Sequence, residues 1–170
     1  LVSGQTRNGK ITFEQYIQAA GFDSILQAAN RHLLPMSDNQ FQLYRQTNAV
    51  GKQTNTFLDL EVLDISTGKR RPVGNLSGGE SFKASLSLAL GLSDTIAENR
   101  GGIQMDALFV DEGFGTLDSK SLEETKDALL SMSGENKLVG IISHRDELMD
   151  IPQKLRVTKG RGGSRIQMEL

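Results

Sequence analysis

Two short apolar runs, separated by an amphipathic stretch, restrict the fold of this chain more than any other feature of its sequence. The runs are Ala107 to Val110 and Leu138 to Ile142, and the stretch from Leu122 to Met132 between them has helical spacing. Strands that alternate with helices in this way are typical of a parallel sheet with helices on its faces. The sequence therefore predicts an α/β fold.

The flanking segments show other periodicities. From Thr12 to about Leu34, apolar residues recur at three- and four-residue steps, which predicts one or two amphipathic helices broken near Gly21. Four further runs alternate as antiparallel strands do, and they are Phe41 to Arg45, Leu58 to Leu63, Lys154 to Lys159 and Arg165 to Leu170. Polar residues from Asn48 to Lys52 predict a turn between the first two runs. We therefore expect antiparallel strands at the edges of the parallel sheet.

Composition excludes several classes of function. The 170 residues include no cysteine and two histidines, which excludes disulfides, thiolate metal sites and a cysteine nucleophile. No apolar run approaches the roughly 18 residues of a membrane span, and the start lacks the pattern of a signal peptide, so we expect a cytoplasmic protein without membrane contact. The net charge is −2. Any nucleic-acid contact must then come from a local patch.

The strongest local signal is the sequence Leu76-Ser-Gly-Gly-Glu80, which is followed by a helix-compatible run from Ser81 to Asp94. A serine and two glycines at a helix start offer backbone N–H groups, a hydroxyl and the positive end of the helix dipole, which together suit a phosphate. The same residues also form an ordinary N-cap followed by a tight turn. The segment alone leaves both interpretations open.

Polar residues also follow the two apolar strands. Asp111 and Glu112 follow the first strand, and His144 lies just beyond the second. At the carboxyl edge of a parallel sheet, one carboxylate can hold a hydrated Mg²⁺ beside phosphates while a second polarises a water molecule. Acidic residues also end many strands without any function, and a lone histidine is usually structural. The shared edge favours a ligand site.

These segments occur in a fixed order, which is Leu76 to Glu80, then Ala107 to Glu112, then Leu117-Asp118, then His144. In this order the sequence resembles the C-terminal half of an ABC-type ATPase head, with its signature motif, Walker B motif, D-loop and H-loop. The wording from Asn75 to Asp94 and from Phe109 to Asp118 is similar to the SbcC family, the ATPase subunits of bacterial SbcCD nucleases. The resemblance covers about residues 12 to 170.

The resemblance implies that two heads sandwich two ATP molecules. The signature residues Ser77, Gly78, Gly79 and Glu80 would then bind the ATP held by the partner head, acting through backbone amides and the helix dipole. Asp118 would lie at the interface and link the two sites. Within its own site, this head would contribute the residues after the apolar strands.

Three residues would serve that site, if the resemblance holds. Asp111 would hold Mg²⁺, Glu112 would orient or deprotonate the attacking water, and His144 would contact the γ-phosphate. The implied cofactors are ATP and Mg²⁺.

The resemblance also implies how the chain fits into a larger assembly. Residues 1–170 would be the C-terminal lobe of the ATPase head, an α/β lobe whose parallel sheet is flanked by helices and edged by antiparallel strands. Residues 1–11 would be a remnant of the returning coiled coil or a linker. The implied partners are the N-terminal lobe of the same protein, a second head in an ATP-sandwiched homodimer, an SbcD-like metallo-phosphoesterase nuclease subunit, and DNA.

One motif match is misleading. Gly4 to Lys10 fits the G-x-x-x-x-G-K pattern of a phosphate-binding loop, but Ile11 occupies the position where Ser or Thr must reach Mg²⁺, and too few residues precede it for a strand. We therefore expect the Walker A motif to lie in the N-terminal lobe, hundreds of residues upstream. The isolated chain should then be inactive as an ATPase.

Two other classes of ATPase share this motif order. One is a chromosome organiser of the structural maintenance of chromosomes (SMC) type without a nuclease, which usually carries a different Walker B tail from the stretch between Asp111 and Asp118. The other is a transporter-coupling ATPase, which normally keeps both lobes contiguous.

The basic C-terminal tail, including Lys159 and Arg161, could contact DNA phosphates or form a solvated hairpin.

Overall fold

A computed structural model describes residues 3–6, 9–46, 58–99, 107–133 and 138–169. The helices are α1 (Phe13–Met36), α2 (Gly78–Asn99) and α3 (Ser119–Met132). The strands are β1 (Ser3–Thr6), β2 (Gly9–Thr12), β3 (Phe41–Arg45), β4 (Leu60–Asp64), β5 (Arg70–Pro72), β6 (Ala107–Asp111), β7 (Leu138–Ile142), β8 (Lys154–Gly160) and β9 (Gly163–Glu169). The turn expected at residues 48–52 lies outside the described residues.

Helix α1 is continuous, so the break expected near Gly21 is wrong. A glycine costs a helix only about 1 kcal/mol relative to alanine, and the C-terminal half of α1 is held by burial of Leu26, Ala29 and Leu33. The first turns lie outside this packing, since Tyr16 and Ile17 are exposed. The helical period was therefore a correct signal, although it overstated how far the buried face extends.

Helices α1 and α2 approach each other closely at Gly91. A Cβ atom built there would lie 2.7 Å from Ala29 Cα and 2.8 Å from the carbonyl oxygen of Ile25. Real side-chain carbons do not come this close to backbone atoms. Only glycine permits this separation between the two helices.

Strands β3, β4 and β5 form an antiparallel sheet in that order. Phe41 is paired with Asp64 and Arg45 with Leu60, which confirms the antiparallel pair expected from the alternation. Strand β5 was not predicted, since three residues around a proline carry no clear period. Asn30 on α1 ties the edge strand β3 to the helix, because its side chain accepts from the N–H of Leu43 and donates to the carbonyl of Leu43, at 2.8 and 2.9 Å.

Strands β6 and β7 pair in parallel, with Ala107 opposite Leu138 and Asp111 opposite Ile142. One face of this sheet packs into the core through Val110, whereas the other is exposed in the described part of the chain. On the exposed face, 65% of Phe109 and 53% of Ile142 are accessible. Helices were expected on both faces, so the described residues meet that expectation on one face only.

Helix α2 separates two clusters of buried side chains. The cluster on the side of the parallel sheet contains Met36, Leu86, Leu90, Val110, Phe114, Leu117, Leu122, Leu129 and Leu148. The cluster on the side of the antiparallel sheet contains Leu26, Leu33, Phe41, Leu43, Val62 and Ala84. Because α2 contributes to both clusters, its position is fixed from two sides. Ala89, on the same helix, is exposed.

Two hairpins flank this body. Strands β8 and β9 confirm the predicted C-terminal hairpin, and the pairs Leu155 with Met168 and Val157 with Ile166 leave an exposed apolar face. Strands β1 and β2 form a second hairpin, with Gly4 opposite Ile11. Among the described helices, no segment is both long and apolar enough to cross a lipid bilayer.

Candidate functional site

The start of α2 is stabilised by a reciprocal pair of hydrogen bonds. The backbone N–H of Ser77 donates to Glu80 Oε2 at 2.7 Å, and the N–H of Glu80 donates to Ser77 Oγ at 3.3 Å. This is a capping box, which satisfies two of the N–H groups that have no partner inside the helix. The N–H groups of Gly78 and Gly79, which lie between them, are left at the positive end of the helix.

Glu80 is held in turn by Arg71 on β5. The guanidinium donates to Glu80 Oε1 at 2.8 Å and to the carbonyl oxygen of Asn75 at 2.7 Å. Partial burial by itself would raise the pKa of Glu80, but the hydrogen bonds from the Ser77 N–H and from Arg71 outweigh it, so the pKa is lowered. Glu80 is therefore ionised at neutral pH and turned toward its own loop.

The glycines of the signature segment pack against the loop that precedes α3. A Cβ atom at Gly78 would lie 3.3 Å from Thr116 Cβ, and one at Gly79 would lie 3.2 Å from the carbonyl oxygen of Thr116. Larger residues would push these two segments apart. The glycines thus serve close packing as well as the exposure of backbone N–H groups.

Asp118 caps α3. Its carboxylate accepts from the N–H of Ser121 at 2.9 Å and from the Ser121 hydroxyl at 3.1 Å. These hydrogen bonds hold the pKa of Asp118 below its usual value. Asp118 lines a polar cavity of about 350 Å³ together with the residues from Ser77 to Glu80. The structure therefore brings the five predicted cofactor-binding residues together.

The remaining predicted site residues meet at the carboxyl edge of the parallel sheet. The backbone N–H of Glu112 donates to the carbonyl of Ile142 at 3.0 Å, and His144 Nδ1 lies 3.3 Å from Glu112 Oε1. Both side chains are exposed, at 57% for Glu112 and 79% for His144. Glu112 also has a φ of 58°, a strained conformation of the kind that concentrates at functional sites.

Asp111 ends β6 beside this pair, and it is exposed. Mg²⁺ is usually held by one or two carboxylates, with waters and substrate phosphates filling the other positions. A single exposed aspartate at a sheet edge fits that pattern. In the described ranges, no three His, Asp or Glu side chains are grouped closely enough to hold a metal ion by themselves.

An aromatic contact joins the two groups of residues. Phe82 on α2 packs edge-on against Phe114, with ring centroids 5.1 Å apart. Gly113 lies under the ring of Phe82 and has a φ of 90°. A Cβ atom built at this position would lie 2.6 Å from Phe82 Cδ2. The turn after Glu112 therefore packs directly against α2, the signature helix, which begins at the signature residues.

Sequence reasoning missed two cations that support this region. Lys83 is 7% exposed, and its Nζ lies 3.1 Å from Glu124 on α3, so it ties the signature helix to the helix that Asp118 caps. Arg71 is the second, and it holds Glu80 and the Asn75 carbonyl. Neither cation could be predicted from the sequence, because the partners of each become its neighbours only through folding. The three-residue spacing of Ser77 and Glu80, which is typical of a capping box, was the one local signal that Glu80 helps to hold the start of α2.

Comparisons with known sequences show what the chain is similar to. A family described as SbcC/RAD50-like, Walker B motif, matches residues 49–130. The SbcC subunit of the nuclease SbcCD from Staphylococcus aureus strain JH9 is 43% identical over 158 residues, which is 92% of this chain and 15% of that protein. The protein from strain Newman gives the same values. The chain thus spans 15% of the length of these curated relatives.

Comparisons with solved structures show the fold. A structure described as "Structural biochemistry of ATP-driven dimerization and DNA stimulated activation of SMC ATPases" superposes with a TM-score of 0.70 at 15% identity, over 91% of this chain and 88% of that chain. The SMC head domain from Thermotoga maritima gives 0.59 at 17% identity, over 91% and 51%. These likenesses confirm the predicted fold class, the α/β fold that ABC-type ATPase heads share.

Proposed function

Because this chain carries the SbcC/RAD50-like Walker B region and resembles SbcC over most of its length, we propose that it is the C-terminal lobe of an ATP-hydrolysing head in a nuclease complex that processes DNA double-strand breaks. The observation that carries the proposal is the division of the predicted residues into two places. One group lines the cavity at the start of α2, and the other lies at the edge of the parallel sheet. Two such places suit a protein that serves two ATP molecules.

The signature group suits the ATP of a partner head. The N–H groups of Gly78 and Gly79 and the hydroxyl of Ser77 lie at the positive end of a 22-residue helix, an arrangement that favours a phosphate. Glu80 would hold the loop in shape, and Asp118 would lie at the interface between the heads.

The group at the sheet edge suits the ATP of this head. Mg²⁺ bound by Asp111 would neutralise charge on the phosphates. Glu112 would orient the attacking water or take its proton, and His144, whose Nδ1 lies 3.3 Å from Glu112 Oε1, would contact the γ-phosphate. Both side chains are open to an incoming ligand.

The exposed sheet face supports an N-terminal lobe as the first partner. Phe109, Leu138 and Ile142 leave an apolar surface on a parallel sheet, a type of sheet that is normally covered on both faces. The phosphate-loop pattern begins at Gly4 on β1 and ends at Lys10 on β2, which pairs antiparallel with β1, so its lysine lies on a strand and not at the start of a helix. We therefore expect the chain alone to lack ATPase activity and an upstream lobe to supply Walker A.

The wider assembly follows from the similarity to the SbcC subunit of SbcCD. ATP-driven dimerisation of two heads would regulate an SbcD-like metallo-phosphoesterase nuclease subunit on DNA. A protein that processes DNA in this way would act in the bacterial cytoplasm.

Two substitutions in the intact head test the proposal. Glu112→Gln should leave ATP binding normal, reduce turnover by orders of magnitude, and accumulate an ATP-bound dimer, since only the activation of water is lost. Ser77→Arg should abolish ATP-dependent dimerisation but preserve ATP binding by the monomer, because the bulky cation obstructs the partner's phosphate. Binding is measured by calorimetry and dimerisation by light scattering.

Each variant has an outcome that contradicts its assignment. Unchanged turnover in Glu112→Gln would remove Glu112 from the mechanism. Loss of nucleotide binding by monomeric Ser77→Arg would show that the serine acts on the ATP of its own head, contrary to the sandwich.

The SMC-type organiser remains the alternative. The SMC structures share the fold at 15–17% identity, whereas the SbcC subunit of S. aureus SbcCD is 43% identical, so the comparisons favour the nuclease-associated head. ATP-dependent stimulation of a co-purified metallo-phosphoesterase would support the SbcC interpretation, and an ATPase that associates with no nuclease would support the organiser.

A further inference from the structure

Arg71 connects the antiparallel sheet to both ends of the signature loop. It lies on β5 opposite Val62, on the sheet face that meets α2, and its side chain is about one-third exposed. One nitrogen donates to the carbonyl of Asn75, just before the loop, and another donates to Glu80, just after it. The four residues between these anchors, 76–79, include the predicted phosphate-binding groups.

This geometry differs from that of an ordinary surface ion pair. An isolated exposed pair contributes little, because two flexible side chains must be ordered for one weak contact. Here a planar guanidinium bridges two acceptors that are five residues apart, and one of them already caps the helix through the N–H of Ser77. Arg71 thus ties both ends of the loop to strand β5.

We infer that Arg71 is a positioning residue for the phosphate-binding end of α2, acting through Glu80 and the Asn75 carbonyl on the loop that engages the partner's ATP. The inference rests on the proposed function, because it assigns Arg71 to the signature site of an ATP-sandwiched dimer. Arg71 touches no phosphate itself. It keeps the N–H groups of Gly78 and Gly79 aimed outward before the partner arrives.

If Arg71 orders the signature loop in advance, its loss should weaken the engagement of the two heads and no other step. Without Arg71, the loop must be ordered when the heads engage, and that cost weakens engagement without changing the contacts finally made. The monomer should bind ATP normally, because its own site does not use the signature loop. At saturating ATP the engaged dimer should turn over at close to the normal rate.

The test compares Arg71→Ala with Arg70→Ala in the full-length protein. Arg70 is the matched control, since it is the adjacent residue on β5 but bonds Glu61 and stacks 4.7 Å above the ring of Tyr44. We expect Arg71→Ala to raise the ATP concentration for half-maximal dimerisation by about tenfold, the lower end of the effect of losing its two charge-assisted hydrogen bonds, to Glu80 and to the Asn75 carbonyl. Arg70→Ala should leave it within about twofold of the wild-type value.

A double-substitution cycle with Glu80→Gln tests the route of action. Glu80→Gln keeps an acceptor for the Ser77 N–H but removes the charge that Arg71 contacts. If Arg71 acts through Glu80, adding Arg71→Ala to Glu80→Gln should cause a smaller loss than it causes alone. Full additivity would overturn this route.

Two results separate the inference from the proposed function. If Ser77→Arg abolishes dimerisation while Arg71→Ala has the wild-type ATP dependence, the inference fails and the sandwich stands. If Ser77→Arg also dimerises normally, the proposed function itself fails. Loss of ATP binding by monomeric Arg71→Ala, or an equal defect in Arg70→Ala, would show a general structural role and overturn the inference.

Discussion

The contact between α1 and α2 at Gly91 predicts that one substitution has opposite effects at two helical positions. Alanine is favoured over glycine in a helix by about 1 kcal/mol, so Gly→Ala is stabilising wherever space allows. At Gly21 on α1, a Cβ atom would meet nothing within 4 Å. At Gly91 it would meet backbone atoms of Ala29 and Ile25 at 2.7 and 2.8 Å.

The magnitude follows from these distances. Backbone atoms cannot rotate away as a side chain can, so the helices must separate, and overpacking of this kind costs about 3 kcal/mol at the upper end of its usual range. Subtracting the gain in helix propensity leaves Gly91→Ala destabilised by about 2 kcal/mol, whereas Gly21→Ala is stabilised by up to about 1 kcal/mol.

Native-state hydrogen exchange of peptides from α1 and α2 measures both effects in the full-length protein. Gly91→Ala should speed exchange in both helices by about thirtyfold, the equivalent of about 2 kcal/mol, and Gly21→Ala should slow it or leave it unchanged. Equal protection in Gly91→Ala and the wild type would refute the close approach of the helices.

Three further predictions concern the site and its surroundings. Lys10→Ala should leave Mg-ATP binding by the intact head unchanged, as calorimetry would show, because Gly4 and Lys10 lie on the antiparallel strands β1 and β2; a lost affinity would make the segment a true phosphate loop. Because the pKa of Glu80 is lower in the folded state than its ordinary value of 4.5, ionised Glu80 stabilises the fold fully above pH 4.5, and this contribution is lost as the pH falls through the folded-state pKa. Glu80→Gln should therefore reduce the dependence of the free energy of unfolding on pH in the acid range. Phe109→Glu should prevent association with the upstream lobe in a pull-down while leaving the circular dichroism of this chain unchanged, since Phe109 is 65% exposed; normal association would show that this face is not the contact.

The local patterns were sufficient for most of the elements. The alternation at Phe41 to Arg45, the apolar runs of β6 and β7, and the helical spacing before Met132 each indicated an element that the structure contains. These signals are strong because burial repeats at every second residue or every third to fourth residue of the chain. The expected break at Gly21 failed because a packed helix tolerates one glycine.

The candidate site residues Ser77, Asp111, Glu112, Asp118 and His144 also lie in short local patterns, whose order along the chain indicated them as a set. Only folding decided how they are grouped. Parallel pairing brings His144 to Glu112 across 31 intervening residues, and Phe114 packs on Phe82 of the signature helix. Arg71 and Lys83 gave no local signal, because a cation is assigned a role by the carboxylate it meets, and Glu80 and Glu124 reach them only in the tertiary structure. Periodicity encodes which face of an element is buried, whereas the partner across each contact depends on how the elements pack.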